Sequence, residues 1–97
     1  MSLFVFNENV KSFTSIMNQE LHRLSVLTRI PSITNIPILI MEDTKKLGFF
    51  NPTYKYIALH RKLIYIANIE VSKKILSHEV TYHITVPSFE VFVKNSI

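Results

Sequence analysis

IPILIMEDTKKLGFFNPTYKYIALHRKLIYIA, residues 36–67, is the stretch on which the fold turns. Short apolar segments rich in Ile, Phe and Tyr alternate in it with turn formers and charged breaks, the pattern of short strands. Ile36–Met41 reads as a strand whose Pro37 sits at the beginning, where a missing ladder N–H is tolerated. Glu42–Lys46 is polar and reads as a loop. From Gly48 the chain continues through Phe49–Phe50, a turn at Asn51–Pro52–Thr53, and a second strand over Tyr54–Leu59. His60–Arg61–Lys62 is a charged break, and Leu63–Ala67 is a further strand candidate. Three to four short strands are therefore expected between residues 36 and 67.

Outward from this block the hydrophobic period changes from two to about 3.6. On the N-terminal side, Val10, Phe13, Met17, Leu21, Leu24 and Thr28 recur at helical spacing, with Ile16 and Leu27 widening the stripe. A long amphipathic helix over Asn9–Arg29 follows, capped by Asn7 or Asn9 and stopped by Pro31. On the C-terminal side, Asn68 suits an N-cap and Glu70 the first helical turn, where negative charge favours the dipole. Val71, Ile75, Leu76, Val80 and Ile84 then carry a second helix over Ile69–Ile84, ended by Pro87. The tail Ser88–Val93 alternates as a strand would, and Phe4–Phe6 is a further apolar segment able to form one. The order predicts a single α+β domain over residues 1–97: two main helices on a small, mostly antiparallel sheet of three to four strands.

Composition bounds what such a domain can do. The chain has 97 residues, of which 47% are hydrophobic and 19% charged, so it folds rather than staying disordered. No apolar run approaches the roughly 18 residues of a membrane span, and no leader pattern marks the first residues. A cytoplasmic protein without a membrane partner is expected. The lack of cysteine excludes disulfides, thiol nucleophiles and thiolate zinc sites, and the single glycine excludes glycine-rich phosphate loops. Isoleucine richness with so little glycine suits a small protein of an AT-rich virus or plasmid. Asp43 is the only aspartate and no glycine-flanked serine elbow exists, so a serine hydrolase has no support.

Chemistry concentrates in the second helix, at Ser77-His78-Glu79-Val80-Thr81-Tyr82-His83-Ile84. With the preceding Gly48–Phe50 strand, the Asn51–Thr53 turn and the strand ending at Leu59, this segment resembles the small zinc metallopeptidases of the zincin group. Their active-site helix carries His-Glu-x-x-His. The resemblance implies a zincin-like fold, His78 as first zinc ligand and Glu79 as the base that activates metal-bound water. The second ligand position holds Tyr82, and His83 comes one residue later. At about 100° per residue, His78 and Tyr82 are about 40° apart around the axis but His78 and His83 about 140°. A regular helix cannot aim both imidazoles at one ion, although a π-type bulge would realign them. Phenolate is not among the usual zinc ligands, and Glu90 is the one acid downstream that could supply a third.

The resemblance therefore implies a zincin-like scaffold that has lost zinc-dependent peptidase activity, holds no cofactor and acts as a binding or interaction protein. An active zinc enzyme using His78 and Glu79, with Tyr82 or His83, is one alternative. The other is a nucleic-acid-binding module: Lys45, Lys46, Arg61, Lys62, Lys73 and Lys74 form small basic clusters on a chain of net charge +4, suited to weak binding. Leftover apolar segments at both ends point to a homodimer. His22 reads as a surface residue of the first helix and His60 as part of a turn.

Overall fold

The computed structural model describes residues 3–42, 45–65, 69–85 and 87. Helix α1 (Leu3–Thr28) leads into a 3₁₀ turn (Pro31–Asn35), then strands β1 (Ile38–Met41), β2 (Gly48–Asn51) and β3 (Tyr56–His60). A single-turn helix α2 (Lys62–Tyr65) precedes α3 (Ile69–Val80), which runs on as a π-helical turn over Thr81–Thr85. The α+β class expected from the pattern is what the chain adopts.

The sheet is mixed, with spatial order β1-β3-β2. β2 pairs with β3 antiparallel as a hairpin, and β1 pairs with β3 in parallel, Ile38 opposite Ile57 and Ile40 opposite Leu59. This corrects the expectation of a mostly antiparallel sheet. The link from β1 to β2 passes over one strand position, which leaves the centre for β3. Alternation along the three strands sends Ile38, Ile40, Phe50, Ile57 and Leu59 to one face, where they join the core. α1 and α3 pack side by side and cover that face.

The core is built largely as the stripe predicts: Phe13, Met17, Leu21 and Leu24 of α1 meet Leu76 and Val80 of α3 and the inner face of β3. Three expectations fail at the margins. Leu27 is 65% exposed and Val71 39%, so the buried stripes are narrower than the apolar ones. Phe4–Phe6 belongs to α1 and not to a strand; no glycine or proline lies between Phe4 and Asn9 to stop the helix propagating N-terminally. Of the strand expected over Leu63–Ala67, residues 63–65 are helical instead, within α2, and residues 66–67 lie outside the described residues. β3 already has a neighbour on each side. Turning the chain at His60 instead drops Leu63, 2% exposed, into the core. The tail Ser88–Val93, Glu90 within it, and the Asn68 cap lie outside the described residues.

Local chemistry explains the boundaries. α1 ends with Arg29 in the left-handed region (φ 59°) and an Ile30 N–H that donates to the Ser25 carbonyl at 3.2 Å. This is a Schellman closure, with Pro31 directly after it. Thr34 Oγ1 donates to Ser25 Oγ at 2.9 Å, tying the 3₁₀ turn to the helix it follows. Ile33, fully buried in that turn, is a core residue that no periodicity announces. The hairpin turn is organised by Asn51, whose Oδ1 accepts from the Thr53 and Tyr54 N–H groups at 2.9 Å each. β3 consequently starts at Tyr56, later than expected, and Tyr54 is exposed. His60 is the last residue of β3 rather than part of a turn, and its Nδ1 accepts the Lys62 N–H at 3.0 Å, satisfying a donor at the start of α2. Among the described residues, no helix is long and apolar enough to cross a membrane.

Candidate functional site

The end of α3 lies beside β2, at the hairpin end of the sheet. Farther back along α3, at the start of β2, close approach is made possible by the chain's one glycine: a Cβ on Gly48 would lie 2.6 Å from Ile75 Cγ2 and 3.3 Å from Leu59 Cδ2. Below this contact the helix widens into the π turn, which takes one residue more per turn than an α-helix does.

The four candidate side chains fall into two pairs. Glu79 is 7% exposed and its Oε2 lies 3.2 Å from His83 Nε2. The His83 ring in turn stacks on Phe50 of β2, with centroids 5.3 Å apart and planes 25° from parallel. The imidazole and the carboxylate are therefore turned towards each other across the first turn of the π segment. His78 and Tyr82 form the second pair, exposed, with ring centroids 4.5 Å apart. The π turn is thus present where a realignment of His78 with His83 would need one, but the contacts it makes join His83 to Glu79 and Phe50.

A zinc ion of the peptidase type needs three protein ligands converging at about 2.0–2.1 Å. Among the described residues no three His, Asp or Glu side chains form such a group. Glu79, in the base position, is engaged by the residue that would have to act as second ligand. The donor set among the described residues does not fit the ion that the resemblance implies.

Beside His83 the surface opens into a groove of about 530 Å³ between the 3₁₀ turn, the hairpin turn and the π turn. Ile36, Phe50 and Ile84 give it an apolar wall, and Asn35, Lys55 and His83 give it polar atoms. The sequence singles out His83 for metal chemistry and Lys55, between Tyr54 and Tyr56, as a basic residue interleaved with aromatics, but not the groove that both line; the Lys55 backbone lies in the left-handed region (φ 55°). An Asn-Pro followed closely by a lysine marked the turn, with nothing to show what it faces.

The basic candidates separate likewise. Lys45, Lys46, Arg61 and Lys62 gather at the opposite end of the sheet, where the His60 N–H donates to the Leu47 carbonyl and Arg61 N–H to Met41. Arg61 there forms an ion pair with Glu42. Lys73 and Lys74 instead border a polar depression between α1 and α3 with Glu20, Arg23 and Glu70. Lys73 Nζ is 3.6 Å from Glu70 Oε1. Arg23 Nε donates to both Glu20 oxygens at 3.0 Å, and this hydrogen bond, more than the nearby charge, holds the Glu20 carboxyl below its ordinary value despite burial. No family model, no curated protein and no solved structure matches this chain.

Proposed function

We propose that this chain is a small zincin-type scaffold whose His-Glu helix serves as a binding surface and not as a zinc peptidase. The observation that carries the reading is the engagement of Glu79. Nearly buried, it faces His83 at 3.2 Å, and His83 stacks on Phe50, so base and second imidazole are turned to each other. What supports the zincin part is the order of elements, a helix, a three-stranded mixed sheet and a helix bearing His78 and Glu79 beside the antiparallel edge strand. A groove with an apolar wall next to this pair gives a binding role a place to act.

Metal analysis of untagged protein, purified without chelator, tests it. Well below one zinc per chain and no hydrolysis of an unstructured protein substrate are expected. One zinc per chain, lost on His78→Ala together with peptidase activity, would overturn the reading in favour of the enzyme.

A further inference from the structure

We propose that the groove beside the π turn binds an extended peptide of a partner protein, seating an apolar side chain against Ile36, Phe50 and Ile84 and a neighbouring carboxylate on Lys55. This rests on the binding reading above and gives it a ligand class.

Charge complementarity selects the occupant. Among the described residues that line the groove none is acidic, and Lys55 and His83 are the ionisable ones. Glu79, 3.2 Å from His83 Nε2, is itself not among the residues lining the groove. The ligand must therefore be apolar where it meets Phe50 and anionic where it meets Lys55. At about 530 Å³ the space is of the size that takes a few side chains. It lies between three turns, open to solvent, which suits a segment of chain lying across it better than an enclosed small molecule.

Lys55 itself points the same way. Its φ of 55° is a conformation that glycine or asparagine occupies at less cost, at the position closing the turn by donating its N–H to the Asn51 carbonyl at 2.8 Å. A lysine here forgoes stability and places an ammonium at the groove. Lys55→Gly consequently separates folding from binding, since the two must move in opposite directions.

The probe is a fluorescein-labelled peptide, Ser-Glu-Leu-Phe-Glu-Leu-Ser-Gly, read by fluorescence polarisation against the full chain, with a twin in which lysine replaces both glutamates. The acidic peptide should bind with a Kd of tens of micromolar, and its twin at least about tenfold more weakly. Lys55→Gly should raise the Tm by a few degrees yet weaken the acidic peptide about tenfold, and Ile84→Lys should abolish binding while the chain stays folded. Equal affinity for the twins, no binding at all, or Lys55→Gly binding as well as the parent would overturn the proposal. So would a dimer of the unliganded chain that Ile84→Lys dissociates, because the occupant would then be a second copy. Zinc content measured on the same sample keeps the two readings apart. A metal-free chain that ignores the peptide defeats only this proposal, whereas a zinc-loaded, proteolytic chain defeats the earlier one.

Discussion

Gly48 shows how much one residue can decide. Its missing side chain lets Ile75 of α3 rest directly on β2, and the blocking atom, Cγ2, is attached to a branched Cβ that cannot swing away cheaply. Gly48→Ala should therefore destabilise the fold by about 1–3 kcal/mol through overpacking, measured by urea denaturation. Adding Ile75→Ala should return part of that loss, as neighbours that share a clash are not additive. Scarcity of glycine was legible in the sequence; that the one glycine stands under a helix was not, because close approach is a property of two elements. Glu20 makes the same point with charge. It lies within the apolar stripe of α1 and stays there because Arg23 holds its carboxyl below the ordinary value of 4.5. A lowered folded pKa means that the stabilisation is whole above that value and is lost as pH falls through the folded one. Glu20→Gln should accordingly flatten the decline in thermal stability between about pH 5 and 3, leaving the profile above about pH 6 unchanged.

At the scale of elements, periodicity read what is local and missed what depends on neighbours. The stripe of Phe13, Met17, Leu21 and Leu24 needs no partner to be seen, and α1 and α3 follow from such stripes. Residues 63–65 look like the start of a strand because Ile and Tyr are strand formers, but they are helical, and the positions beside β3 are filled from both sides. Parallel pairing of β1 was equally illegible, since it is set by where a short loop returns the chain. The π turn is the most consequential of these elements. The sequence showed that His83 is out of phase with His78, and geometry supplied the bulge as the only remedy, but the partner it would choose depended on Phe50. If Glu79 and Phe50 hold this turn, His83→Ala removes both the Phe50 stack and the imidazole beside a nearly buried carboxylate and should cost about 1–3 kcal/mol by chemical denaturation. Glu79→Gln combined with His83→Ala should cost less than His83→Ala alone, because an amide is cheaper to leave unpaired than a carboxylate. Equal losses would mean that the pair does not hold the turn.

Over the whole molecule, the basic residues are divided between one end of the sheet and the seam of α1 with α3, and this sets what they can do. Six lysines and arginines that look like one scattered surface in sequence separate into Lys45, Lys46, Arg61 and Lys62 at one end and Lys73 and Lys74 along α3. The α3 pair shares its depression with Glu20 and Glu70, and Glu70 lies against Lys73, so an approaching phosphate meets mixed charge. At the sheet end, Arg61 shares its guanidinium with Glu42. With four cations set against Glu42, the net charge of this end suits about three phosphates at once, which on duplex DNA gives a slope of about −3 in log K against log salt. Binding should accordingly be detectable by fluorescence anisotropy at low salt, fall about 30-fold for each threefold rise in salt, and be lost near physiological ionic strength. Lys45→Glu with Lys62→Glu should lower the slope by about 2, whereas Lys73→Glu with Lys74→Glu should leave it nearly unchanged. The two double variants carry the same change in net charge, so a difference between them isolates position from total charge. Sequence-selective binding that survives physiological salt would transfer the function from the groove to this end of the sheet, since three phosphate contacts alone cannot provide it.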